Sequence, residues 1–375
     1  MSITFQKSSD PNELEFTIQD VNLSLVNAIR RVILSEFPTV GFNTDDYLNS
    51  DLKVLTNTSS INIEYILHRL GLVPIHITNL KTFSSSKYKF IIDKQNTTDS
   101  TISVKSNDIK VLNLETGKEE DSNNFFPPDP ITKDHILILK LKQNPNKIGE
   151  RLHVEGSASI GIGSVNARYS PVSCATFNNK IDETKKQTAL EQHLSKTLSS
   201  DEKKDVEKVK KATLNFNLTH GERFFHTDEN DNPNVFDMKI DSIGVFEPSR
   251  ILSESLDIIK TKVSNNIKII NSVISDQADS DSIKISKSLD TMDAYEIKIN
   301  EEGHTLGNLI QSYATIVFPQ DKLPYIGYRN PHPLKKHIVV KLKTENNTLD
   351  EVNHILTETG KAIIDIIDAL QKQIK

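Results

Sequence analysis

The chain repeats part of itself. Residues 14–33 read LEFTIQDVNLSLVNAIRRVI and residues 295–314 read YEIKINEEGHTLGNLIQSYA, and the two align without a gap at an offset of 281. A repeat constrains a fold strongly, because each copy must be one supersecondary unit whose apolar face needs a neighbour. Leu14, Phe16 and Ile18 alternate and match Tyr295, Ile297 and Ile299, the period-two pattern of a half-buried strand. Ser24 and Thr305 fall together as expected helix N-caps. Asn27 then matches Asn308, and Ile29 matches Ile310. The first helix carries Leu25, Ile29, Val32 and Ile33 on one stripe, the second Leu306, Leu309, Ile310 and Tyr313. Phe37-Pro38 matches Phe318-Pro319, and after five extra residues Ile326-Gly327-Tyr328 is the expected counterpart of Val40-Gly41-Phe42.

Both halves also finish alike. Residues 235–246 alternate as a strand, and Pro248-Ser249 opens a helix with the stripe Leu252, Leu256, Ile259, Val263, Ile267, Ile270. In the second half His337–Leu342 reads as a strand. Thr348 and Glu351 form a capping-box pattern ahead of a helix that buries Val352, Ile355, Leu356, Ile363, Ile366 and Leu370. Two such units in one chain can pack about a pseudo-two-fold axis, as an isologous dimer does. The expected fold is therefore α+β, with two strand-helix-strands-helix units packed as an intramolecular pseudo-dimer. The first unit comprises residues 1–48 and 171–274, the polar stretch 275–290 is the linker, and residues 291–375 form the smaller second unit.

Residues 49–170 interrupt the first unit as a β-rich insert, with strand-like runs at Tyr88–Ile92, Ile136–Leu141 and Leu152–Val154. Ile63, Ile66, Leu67 and Leu70 form a short helical stripe that Gly71 is expected to end at a C′ position. Residues 181–211 are rich in Lys and Glu and read as one or two exposed helices or a mobile excursion.

Composition narrows the chemistry. The 375 residues suit more than one domain, and a net charge of −6 argues against a stand-alone nucleic-acid binder. Cys174 is the only cysteine, so neither an internal disulfide nor a cysteine-based zinc site can form. No run of 18 apolar residues and no signal-peptide pattern is present, so a soluble, intracellular protein with no membrane partner is expected. Gly161-Ile162-Gly163 lacks the third glycine and the βαβ context of a dinucleotide loop. Asp228-x-Asn230-x-Asn232 opens like a calcium loop, but Pro233 replaces the required Gly and Lys239 the bidentate Glu. Asp279-Ser280-Asp281 sits in the linker, His68 has no second ligand at helical spacing, and Cys174 has no adjacent base. No catalytic residue, metal ligand or cofactor is assigned.

At this point the motifs acquire a resemblance. Val26-Asn27-Ala28-Ile29-Arg30-Arg31-Val32-Ile33-Leu34 resembles the first helix of RNA polymerase alpha-type subunits, which include the bacterial alpha subunit, the third subunit of eukaryotic polymerase II and its archaeal counterpart. Glu64–Pro74 (EYILHRLGLVP), Ala167–Val172 (ARYSPV) and Ile240–Val245 (IDSIGV) resemble further segments of that family. Gly303–Leu309 (GHTLGNL) and Gly327–Leu334 (GYRNPHPL) resemble the smaller partner, the eleventh subunit of polymerase II or its archaeal counterpart. Both partners in one chain is similar to the fused subunit of some large nucleocytoplasmic DNA viruses.

The resemblance implies a non-catalytic assembly platform of a DNA-directed RNA polymerase. Its partners would be the largest and second-largest subunits and small polymerase subunits, with DNA and RNA met only through the complex. It implies an internal interface of Ile29, Val32 and Ile33 against Leu309, Ile310 and Tyr313, with Leu306 on the same stripe. It implies docking through Arg30, Arg31, His68 and Arg69, and motif roles for Asn27, Gly71, Pro74, His304, Thr305, Gly307 and Asn308. Location would follow: host cytoplasm or nucleus, in a viral factory, and packaging in the virion. Adjacent arginines on a helix point about 100° apart, so one of the pair is expected to make a buried contact. Some relatives carry metal-binding cysteines in the insert, and the matching region Lys81–Phe90 has none, so no metal carries over. The alternative is a free-standing transcription regulator or scaffold on the same fold.

Overall fold

A computed structural model describes residues 1–46, 48–143, 149–199, 202–276, 280–288 and 292–374. The chain divides into two compact units, residues 1–32, 174–241 and 252–375 in one and residues 33–173 and 242–251 in the other. The helices, numbered in chain order, are α1 (Leu23–Ser35), α2 (Ile63–Gly71), α3 (Glu183–Thr197), α4 (Val206–His220), α5 (Pro248–Asp276), α6 (His304–Val317) and α7 (Leu349–Gln371).

The first unit contains two four-stranded sheets with the same plan. In one, the order is Ser2–Phe5, Glu13–Gln19, Val235–Ser242, Val172–Asn179; in the other it is Ile283–Lys287, Tyr295–Asn300, His337–Lys343, Tyr325–Arg329. In each, the strand leading into the first helix of the repeat pairs antiparallel with the strand leading into the last, Phe16 opposite Met238 and Ile297 opposite Val340. The alternating apolar residues of the four central strands are buried, as the period-two pattern requires, except Leu14, which is half-buried.

Two expectations about the strands need correction. Val40-Gly41-Phe42 is not the counterpart of Ile326-Gly327-Tyr328. Strand Tyr325–Arg329 completes its four-stranded sheet, whereas Pro38–Gly41 pairs with Ser159–Ile162, and Val172–Asn179 takes the corresponding edge. The chain leaves this sheet after Phe37-Pro38, and strand Val172–Asn179 fills the edge position. The stretch 275–290 is also not wholly linker: Ile283–Lys287 is an edge strand, with Ile283 buried opposite Ile299. Its polar composition hid the alternation of Ile283 and Ile285. Residues 277–279 and 289–290 of that stretch, Asp279 included, lie outside the described residues.

Helices α5 and α7 lie antiparallel. Gln371 Nε2 donates to Asp257 Oδ1 at 2.8 Å and to the Ser253 carbonyl at 3.3 Å. Lys260 pairs with Asp368, and Thr357 Oγ1 donates to Asn271 Oδ1 at 3.2 Å. Between these contacts Gly360 faces Ile267 so closely that a Cβ on it would overlap the Ile267 Cδ1 atom. As residue numbers rise along α5 they fall in equal steps along α7. The apolar stripe of α5 recurs one hundred positions on as Val352, Leu356, Thr359, Ile363, Ile367 and Leu370. All six are buried, so Ile367, and not the half-buried Ile366, continues the α7 stripe.

The caps also differ from expectation. Asn22 Oδ1 accepts from the Ser24 amide at 2.8 Å, so the side chain at the start of α1 is Asn22 and not Ser24. Gly303 is the N-cap of α6, which leaves the Thr305 hydroxyl inside the first turn for another use. Thr348 does cap α7, accepting from the Glu351 amide at 3.3 Å, but Glu351 reaches past it to Thr344 and Asn346. These bonds hold the Glu351 carboxyl below its ordinary value.

The second unit is built on a five-stranded sheet, ordered Leu52–Asn57, Arg151–Gly156, Tyr88–Gln95, Lys110–Asn113, Lys118–Glu120, with a two-stranded ribbon of Ile102–Lys105 and Leu137–Leu141. Its core joins Ile66, Leu67 and Leu70 of α2 to Phe42, Phe90, Phe125 and Phe126, whose rings meet edge to face. Phe125 and Phe126, the first two residues of the loop 125–130, thus belong to the core. Residues 181–211 contribute α3 and the first part of α4, as two helices.

Candidate functional site

In the first unit the motif residues converge at the start of α6. Arg31 Nε donates to Thr305 Oγ1 at 2.9 Å, which joins the first repeat's helix to the second's. Arg30, on the adjacent face, donates through Nε and Nη2 to Asn27 Oδ1 at 3.1 and 2.9 Å. The roughly 100° between successive residues explains why neighbouring arginines have different acceptors. Leu25, Ile29, Val32 and Ile33 of α1 and Leu306, Leu309, Ile310 and Tyr313 of α6 are all buried. Burial pushes the Tyr313 phenol up to about 12, with the Asn22 backbone opposing the shift.

The two motifs of the second repeat meet each other. The Tyr328 ring lies on Gly307, where a Cβ would come within 2.5 Å of it. His304 Nδ1 lies 3.3 Å from the Tyr328 hydroxyl, and Gln311 Oε1 accepts from the Tyr328 amide at 3.3 Å. Asn308 Oδ1 accepts from Ser312 Oγ at 3.4 Å, one turn further along α6. The glycine in HTLGN is therefore a seat for the tyrosine in GYRNPHPL.

In the second unit α2 presents His68 and Arg69 to solvent and its apolar stripe to the core. Asn62 caps it, accepting from the Glu64 amide at 3.2 Å, and Arg69 Nη2 donates to the Leu137 carbonyl at 2.7 Å. Pro74 lies just beyond, between buried Val73 and Ile75. Gly71 is the last helical residue and not a left-handed cap; among the described glycines only Gly117 and Gly244 have positive φ. Its role is space. A Cβ on Gly71 would stand 2.5 Å from both Arg168 Nη1 and Thr44 Oγ1.

Arg168, in the ARYSPV segment, is a site residue that sequence reasoning passed over. Its side chain is only 4% exposed. It donates to the Phe42 carbonyl at 2.8 Å and to Thr44 Oγ1 at 2.6 Å, and pairs with Asp45. The next residue, Tyr169, lays its ring against Gly161 and Gly41, and burial raises its phenol above the ordinary value. Gly161 is thus a strand residue that makes room for an aromatic ring. Gly244 of IDSIGV, at φ 89°, forms a turn in which its amide and the Phe246 carbonyl both bond the Ser242 hydroxyl.

Asp228 Oδ1 accepts the amides of Asn230 and Asn232 at 2.9 and 2.8 Å, bonds that hold its carboxyl below the ordinary value within a turn. Cys174 is half-buried in strand Val172–Asn179. Among the described residues no three of His, Cys, Asp or Glu gather as a metal site, and no helix is long and apolar enough to cross a membrane. What the motifs build is bracing between segments.

Comparison with known proteins gives that bracing a family. The model of the RNA polymerase Rpb3/Rpb11 dimerisation domain matches residues 15–263, and a second model of the same description matches residues 294–373. The chain belongs to this family. Among its relatives, a conjugation stage-specific protein of Tetrahymena thermophila is 29% identical over 44% of this chain and 55% of its own length. Subunit 3 of DNA-directed RNA polymerases II, IV and V from Arabidopsis thaliana is 26% identical over 51% of this chain and 60% of its own. RNA polymerase II subunit RPB3 of Schizosaccharomyces pombe is 24% identical over 67% of this chain and 82% of its own. The chain thus spans little more than half the length of the first two. Membership accounts for the α+β character of both halves.

Proposed function

We propose that the chain is a non-catalytic assembly subunit of a DNA-directed RNA polymerase, in which two alpha-type halves pair within one polypeptide and offer an outer surface to the largest and second-largest subunits. The observation that carries this reading is the presence of two dimerisation-domain matches on one chain. The contacts Arg31–Thr305 and α5–α7 support pairing between the halves. In this reading residues 1–48 with 171–274 and residues 291–375 are the paired domains, and 49–170 is the insert. The chain would then be a fusion of two subunits, as in large DNA viruses, working in a viral factory and carried in the virion.

The docking residues divide by their contacts. Arg31 serves the pairing of the halves through Thr305, and Arg30 faces the partner. The Arg30 fork has five N–H donors, and Asn27 takes two, so donors remain for a carboxylate or a backbone carbonyl. His68 and Arg69, exposed on α2, provide a second docking point.

Native purification through a tag on this chain, followed by mass spectrometry, tests the reading. Two very large polymerase chains should co-purify in equal stoichiometry. Arg30→Ala should weaken capture of the second-largest subunit by about 2 kcal/mol or more if that contact is buried, with the chain still folded. Recovery of the chain alone, or with DNA-bound regulators in place of the large subunits, contradicts it and favours a free-standing transcription regulator.

A further inference from the structure

The α3–α4 hairpin lies outside all the family motifs, and α4 has two faces. Its inner face carries Val209, Thr213, Phe216 and His220. Phe216 is buried against the rings of His193, His220 and Phe224, at centroid distances of 5.3 to 5.8 Å. That stripe accounts for packing on α3. The opposite stripe, Lys211, Leu214 and Leu218, faces solvent, with Leu214 59% and Leu218 79% exposed. These leucines border an open groove of about 440 Å³ lined by Leu198, Lys208, Lys211, Ala212, Leu214, Asn215 and Leu218. A solvated charged face would not place two leucines one turn apart on the side away from the hairpin's own packing.

Charge indicates what fits there. Residues 203–211 hold five lysines against Asp205 and Glu207, in a chain whose net charge is −6. Lys208 is paired with Glu202, whose carboxyl that ammonium and Ser199 hold down to about 2. Lys211, at the groove edge, has no ion-pair partner among the described residues. The floor has leucines and an alanine and offers neither an aromatic ring nor an arginine on which a base could stack, which favours a protein over a nucleic acid. We propose that this groove docks an amphipathic helix of a partner protein, with leucine-type anchors one turn apart and Asp or Glu on its flanks. The anchors cover Leu214 and Leu218, and the acidic flank meets Lys211.

The test uses the purified full chain and a fluorescent helical peptide bearing Leu at i, i+4 and i+7 with Glu flanks. Fluorescence anisotropy should show saturable binding that weakens with salt. Leu214→Glu and Leu218→Glu should each reduce affinity by about tenfold or more, while circular dichroism stays unchanged because both side chains face solvent. Lys211→Glu should abolish preference for the Glu-flanked peptide and restore binding to a Lys-flanked one, an exchange that misfolding cannot mimic. No saturable binding of the Glu-flanked peptide overturns the proposal. So does binding insensitive to the three substitutions, or its displacement by a single-stranded oligonucleotide that itself loses affinity in Lys211→Glu.

Discussion

Single residues in this fold are placed by volume more often than by backbone need. Gly71 shows it: the site must stay empty for a guanidinium fixed by Phe42, Thr44 and Asp45. Gly71→Ala should therefore destabilise the second unit. Overpacking costs about 1–3 kcal/mol, more than the roughly 1 kcal/mol gained by removing a helical glycine. Calorimetry should show the lowered transition, and hydrogen exchange should place the opening near residues 42–45. Tyr313 makes a prediction in pH. Its phenol titrates at about 12 in the fold and at about 10 when unfolded, so the neutral form is favoured by folding. That contribution is complete below pH 10 and is lost as pH rises toward 12, amounting to about 3 kcal/mol. Denaturant titrations across that range should show the loss in the native chain and a smaller one in Tyr313→Phe. The sequence named Gly71 and Tyr313 as motif and stripe positions. Their partners could not be read, because Arg168 lies about a hundred residues from Gly71, and no local pattern marks a charge that only tertiary packing buries.

Elements were more legible. Period two and period 3.6 located the central strands and long helices of both repeats, since each buries one face. Three features escaped for physical reasons. Strand Ile283–Lys287 has only two apolar residues within a polar stretch. Ile367 displaced Ile366 because the partner helix selects one of two adjacent isoleucines. The antiparallel contact of α5 on α7 was invisible because each helix alone shows only an apolar stripe. That contact predicts the behaviour of Gly360, which is fully packed against Ile267 and Val263. Gly360→Leu should force α5 and α7 apart, costing about 1–3 kcal/mol, as read from thermal unfolding. By contrast the Lys260–Asp368 pair is more than a third exposed on both sides, so breaking it should cost under about 1 kcal/mol. A reversed ranking of the two substitutions would mean that charge, and not packing, holds these helices.

At the scale of the molecule, the repeat read from the sequence appears as two sheets of the same strand order within one compact unit. Residues 33–173 form most of the other unit. The α+β class and the family motifs were readable because they are local. The diversion of Pro38–Gly41 out of the repeat was not, because strand pairing between segments about 120 residues apart leaves no local trace. Under the proposed pairing, holding two halves in one polypeptide would set their effective concentration at roughly millimolar, so assembly would not depend on protein concentration. The Lys260–Asp368 pair offers a direct reading of that state. A zero-length carbodiimide cross-link, applied to dilute native protein, should join these two side chains in species of monomer mass. Its absence, or its recovery only from species of dimer mass, would show that the halves do not pair within one chain.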